Sequence, residues 1–215
     1  MRTGGRRRQA VVLLAILWSS AAAAARQPGP PDVPWPQDST AKPGSRKILV
    51  NQLQLGSMTI GLETTRLDEL TRLIPGTRIH ARGDAGESLA WVCFRVVTQY
   101  GLFNVWPNSG ELGGGRIIDG VVVAPVAHHP EPDCPVLAVN GGPVGFDNGV
   151  WIGMARSAAY AKLGTPSRKF GSVVAFDSER PAAGREKDCT TGGDLVLDIQ
   201  SGRIARIRAT KVTSC

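Results

Sequence analysis

The residues of this chain best equipped for chemistry are few: four cysteines, three histidines and one proline-framed run from Pro125 to Asp133. In that run His128-His129 stand within a few positions of Glu131 and Asp133. Imidazole nitrogens and carboxylate oxygens are both metal ligands. The prolines, however, place them in a segment that neither helix nor strand would hold rigid, so a solvated loop is expected rather than a metal centre. His80, beside Arg78-Ile79 at a strand entrance, is expected to be structural. Cys93, Cys134, Cys189 and Cys215 lack the close C-x2-4-C spacing of most structural zinc sites. An even count in an oxidising compartment favours two disulfides. Of the three possible pairings, Cys93 with Cys134 and Cys189 with Cys215 is expected, because each bond then closes a loop inside one half of the chain. Each would stabilise by ~3–4 kcal/mol through loop entropy.

Catalytic signatures are missing. The G-x-S-x-G elbow that exposes a hydrolase serine is absent, and Ser39-Thr40-Ala41-Lys42 has S-x-x-K spacing only within a proline-rich stretch that could not hold Ser and Lys together. Disulfide sulfur carries no thiolate to attack with. Glycines at 113–115, at 141, 142 and 145, and at 192 and 193 complete no phosphate-binding motif and are expected in hairpin turns. Asp147-Asn148-Gly149 lacks the alternating acids of a calcium loop and reads as a turn. No catalytic, metal or cofactor residue is therefore expected. What remains is recognition. Trp91, Trp106 and Trp151 fall at strand positions, where an indole either fills a core or anchors a partner. Arg206 and Arg208 with Lys211 would give the last strand a basic face, which either protects an edge or meets an anionic glycan or lipid headgroup. Trp91, Trp106, Arg206 and Arg208 are the candidate partner-binding residues.

The elements that must position these residues follow a leader. Arg6, Arg7 and Arg8 precede an apolar run from Ala10 to Trp18, then Ser19-Ser20 and five alanines. This is the pattern of a secretory signal peptide over 1–25, too short to span a bilayer that needs about 20 apolar residues. Its removal takes four arginines and no acid from a formal charge of +7, leaving 21 basic against 18 acidic residues. So weak and scattered a positive charge gives no nucleic-acid stripe, and no later stretch is long and apolar enough to cross a membrane as a helix. Residues 26–47 hold six of the 15 prolines and a lone Trp35. That composition favours an extended, disordered tether.

Two stretches then share one plan. Ile60-Gly61-Leu62 leads into Leu67, Leu70, Leu73 and Ile74 at helical spacing, with Thr64 or Thr65 to cap the start and Pro75-Gly76 to stop it. Ile152-Gly153-Met154 leads through a second helix, over 155–163, to Gly164-Thr165-Pro166. Strands are predicted over 89–97, 102–106 and 116–123 after the first helix, and over 172–176, 195–199 and 203–212 after the second. Both sets close alike, on Gly115-Arg116-Ile117 and Gly202-Arg203-Ile204. The expected fold class is therefore α+β: two helix-plus-three-strand antiparallel units, 48–139 and 140–215, sharing one sheet or core and stapled by a disulfide in each. The Ile-Gly-Leu/Met, short helix, Gly-x-Pro and closing Gly-Arg-Ile pattern resembles the helix–sheet module of small exported bacterial proteins. It is similar to the BamE family of outer-membrane assembly lipoproteins and to each half of the β-lactamase inhibitor proteins, although no cysteine follows the leader to take a lipid. That resemblance implies an exported, periplasmic or extracellular, non-enzymatic adaptor or inhibitor that binds an envelope protein through a sheet face. The alternative expectation is a secreted hydrolase whose acid and base are carboxylates assembled only by the fold.

Overall fold

The computed structural model describes residues 29–36, 49–84, 88–110, 116–128, 133–139, 144–182 and 189–215. The leader, Ser39, Lys42, His129 and Glu131, and the glycines at 113–115 and 141–142 lie outside those residues. A small three-stranded sheet is formed by β1 (Gln52–Leu55), β2 (Met58–Gly61) and β9 (Val144–Phe146), in the order β2-β1-β9. The large sheet holds β3 (His80–Arg82), β4 (Leu89–Trp91), β5 (Phe94–Thr98), β6 (Gly101–Ser109), β7 (Gly120–Pro125), β8 (Val136–Leu137), β10 (Arg168–Phe170), β11 (Val173–Pro181), β12 (Thr190–Gln200) and β13 (Arg203–Ser214). Its path runs β10-β11-β12-β13-β7-β6-β4-β3, antiparallel throughout, with β5 also on β6 and β8 parallel to β5. Two α-helices, α1 (Leu67–Leu73) and α2 (Arg156–Leu163), and a 3-10 turn at Val126–His128 complete the described elements.

The expected α+β class of two helix-plus-three-strand units is corrected by this arrangement. The protein is mostly β, its two helices have only seven and eight residues, and one sheet continues through the β13–β7 ladder, from Ile207↔Val123 to Thr210↔Gly120. Sequence reading undercounted the strands for physical reasons. Gly192 and Gly193 are not a turn but lie inside β12. A Cβ on Gly193 would stand 2.6 Å from Leu49 Cδ1 and 2.8 Å from the Thr210 carbonyl, so the glycine marks close approach, not chain reversal. β4 and β5 share one register on β6: Trp91 faces Asn108 and Phe94 faces Val105. Their ladder breaks where Val92 donates to the carbonyl of Pro107, which has no N–H to return. β1, β3 and β10 are strands of three or four residues, too short for a period-two pattern to declare itself.

The helices form close to where their spacing predicts. Leu67 and Leu70 are buried in α1 and Ile74 just after it, while Leu73 turns 64% of its surface to solvent. Arg66, not Thr64 or Thr65, occupies the N-cap, and Glu69 Oε2 accepts its backbone N–H at 3.4 Å. α2 ends at Gly164, whose φ of 83° suits a residue without Cβ. Both helices and the small sheet bury their apolar residues against one face of the large sheet, in a cluster with Val105, Val123, Phe176, Leu195, Leu197 and Ile207. Both expected disulfides are present: Cys93–Cys134, 41 residues apart, and Cys189–Cys215, 26 apart. The second continues the Thr190↔Ser214 register and closes the open end of the β12–β13 ladder.

Candidate binding face

Side chains alternate across a strand, so register alone decides which residues of the large sheet look away from the helices. Trp91 stands opposite Asn108, Trp106 opposite Val122, and Val122 opposite Arg208, which in turn faces Val196. Arg206 lies two residues along from Arg208 and opposite Asp198. All four candidate residues, Trp91, Trp106, Arg206 and Arg208, thus share the helix-free face. The apolar cluster there contains Trp91, Trp106, Val122, Ala124, Ala175 and Val196 and includes no residue of either helix or of the small sheet.

What lies on this face is part of the predicted tether. Residues 29–36, a strap, run from Trp91, where a Cβ on Gly29 would come within 3.2 Å of the indole, to Arg168, whose guanidinium sits 5.5 Å from the Trp35 ring centre. Val33 is wholly buried in the cluster and Arg208 Nη1 reaches its carbonyl at 3.5 Å. The tether reading therefore fails for these eight residues. The indoles of Trp91 and Trp106 are 3% and 0% exposed, so in this conformation they are core residues and neither meets a partner directly. His80 stacks on Trp91 at 5.7 Å and 14°, in the structural role expected of it. Trp151 packs against Tyr100 at 4.7 Å beside a separate cavity of about 730 Å³ between the β5–β6 turn and β9.

The expected basic face does not exist as a patch. Lys211 has the opposite strand parity and pairs across the other side of the sheet with Glu63 at 3.3 Å. Glu63, held at a left-handed φ of 61°, also accepts from the Thr213 backbone N–H and hydroxyl. Arg206 is committed to Asp198: Nε and Nη2 donate to Oδ2 at 2.9 and 2.6 Å, while Ser172 Oγ donates to Oδ1 at 2.7 Å and Gln200 Nε2 to Oδ2 at 2.9 Å. Burial pushes the Asp198 carboxyl up, but those donors outweigh it and hold it below the ordinary value. Arg206 is thus a structural cation. Of the three cations offered on the last strand only Arg208 reaches the strap, whose ends lie beside Arg82 and Arg168.

Beside Trp35 a cleft of about 710 Å³ opens over β10–β13, lined by Arg168, Asp177, Glu179, Asp194 and Thr210 with Gly192 as a bare floor. Asp177 and Asp194 face each other across the β11–β12 ladder. Burial raises the pKa of Asp194, with the charge of Asp177 adding to it against a hydrogen bond from Thr210. Three acids, Asp177, Glu179 and Asp194, thus line the cleft beside Arg168. Sequence reading found none of Val33, Trp35, Asp177 and Asp194. The only signal for the strap was a valine and a tryptophan set among prolines, and β-register, not spacing, unites the two aspartates.

No family model, curated protein or solved structure matches the chain. The face must therefore be read from its own chemistry. Its two ends, beyond the strap, are apolar and open. Val97 (62% exposed) faces Leu102 (37%), with Val136 (58%) one strand further out, while Phe170 (63%) stands at the far edge.

Proposed function

We propose that the chain is an exported, non-enzymatic protein of the cell envelope that binds another macromolecule through the helix-free face of its large sheet. One observation carries the reading. Among the described residues, the strand positions with large exposed apolar side chains, Val97, Leu102, Val136 and Phe170, all have the register parity of that face, with Val97 also bordering the cavity at β9, whereas helices and a second sheet cover most of the opposite face. Soluble proteins seldom gather exposed apolar groups on one side without a partner for them. Two disulfides accord with an oxidising destination, and among the described residues no helix is long and apolar enough to cross a membrane.

The test is face-dependent capture from an envelope extract. Leu102→Lys and Arg168→Glu, at opposite ends of the face, should each reduce the captured partner at least about tenfold, while Arg156→Glu, on the exposed side of α2, should leave it unchanged. Capture indifferent to the first two and abolished by the third would refute the reading. A second reading rests on the facing Asp177 and Asp194: a hydrolase with Asp194, whose pKa burial raises, as the acid and Asp177, 3.5 Å from Arg168, as the second carboxylate. The cleft is open along the strands and lacks the water exclusion that strengthens such a pair. A glycosidase or esterase activity in the purified protein that Asp194→Asn abolishes would favour this second reading.

A further inference from the structure

The strap shows what chemistry its seat accepts. Its buried residues are Pro30, Val33 and Pro36, and its most exposed ones include Asp32 and Pro34. Burial every third residue is the repeat of a polyproline II helix, which turns once in three residues and leaves its backbone free of internal hydrogen bonds. None of the eight residues lies in a strand, so the strap is held chiefly by side chains. Val33 inserts into a cluster with two tryptophans, Arg208 reaches one strap carbonyl, and Arg168 covers the terminal indole. An aromatic-lined groove with a donor for a backbone carbonyl is the general solution for reading proline-spaced peptides, because their conformation is already ordered before binding.

We infer that the groove across the helix-free face, lined by Trp91, Trp106, Val122, Val196 and Arg208, is a receptor for an extended, proline-spaced segment of a partner protein, and that residues 29–36 fill it in cis until that segment displaces them. This deepens the proposed binding function and rests on it. The strap of a second copy is a poor candidate. It would bring the same contacts as a strap already tethered at an effective concentration on the order of millimolar, so exchange gains nothing.

The probe is a fluorescent octapeptide of the strap itself, Gly29 to Pro36, titrated by anisotropy into the exported chain and into its Val33→Asp variant, whose own strap is expelled by a charge that the seat cannot hold. The expected result is binding to the variant at least about tenfold tighter than to the unmodified chain, because the cis competitor is gone. The octapeptide bearing Val33→Asp should not bind, and one bearing Pro31→Ala and Pro34→Ala should bind several-fold more weakly. Val33→Ala in the chain, which adds no buried charge, provides the same comparison should Val33→Asp fail to unfold cooperatively. Equal binding to the unmodified and variant chains, or no binding to any folded chain, overturns the inference. So does a concentration-dependent dimer whose seats are filled by exchanged straps. If the octapeptide never binds while envelope capture still depends on Leu102 and Arg168, this inference falls and the broader binding function stands.

Discussion

Asp198 is 1% exposed, with four hydrogen bonds converging on its carboxylate, two of them from one guanidinium. A buried pair of this kind is costly to break from one side, because the surviving charge has no partner. Asp198→Asn is expected to destabilise the fold by about 3 kcal/mol at pH 7, with Arg206→Gln giving a similar loss and the double variant much less than their sum. Its folded pKa lies below the unfolded value near 3.8, so Asp198 stabilises above that value and the contribution is lost as pH falls through the folded pKa. Urea midpoints between pH 2 and 7 should therefore converge at the acid end for Asp198→Asn and the unmodified protein. Asp194 has the opposite sign: raised by burial and by Asp177, it favours the fold below the unfolded pKa and loses that contribution as pH rises through the folded value. Asp194→Asn should raise the melting temperature at pH 7 and give no rise at pH 3. At this scale the sequence was legible only in part. It named both cysteine pairs, but it offered Arg206, Arg208 and Lys211 as one basic face, because three cations on one strand say nothing about which acids the neighbouring strands bring opposite them.

Among the elements, α1 was the most readable. Three leucines at helical spacing specify an apolar stripe, and Leu67 and Leu70 are both fully buried beneath the sheet. Leu70→Asp places an unpaired carboxylate in that contact and is expected to cost several kcal/mol; thermal unfolding unchanged by it would contradict the packing of α1. The strands were less readable. Pro107 sits inside β6 and Gly193 inside β12, residues that ordinarily argue against a strand interior. Each is tolerated for a tertiary reason: opposite Pro107 the β4–β5 ladder is interrupted at Val92, which only donates to the proline carbonyl, and Gly193 makes room for Leu49. Gly193→Val should therefore destabilise by about 2 kcal/mol through overpacking although valine has the higher strand propensity, and chemical denaturation compared with Gly192→Val separates the two effects.

For the whole molecule, the expectation of two helix-plus-three-strand units sharing one sheet or core gave way to a mostly β fold around one large antiparallel sheet with unlike faces. Periodicity locates apolar faces within an element, but the pairing of β13 with β7 joins strands more than 80 residues apart, beyond the reach of any local pattern. The same limit hid the strap, since eight residues rich in proline carry no period that distinguishes a solvated tether from a segment seated on tryptophan. The proposed function makes the helix-free face the working surface, and what the fold itself shows there is a strap whose Val33 is buried with Trp91 and Trp106. Hydroxyl-radical footprinting of Trp91 and Trp106, in the unmodified protein and in Val33→Ala, measures this directly. We expect both indoles to be protected in the first and oxidised several-fold faster in the second, with the inner-face Phe176 unchanged in both; equal protection of the two tryptophans in a folded Val33→Ala protein would contradict it.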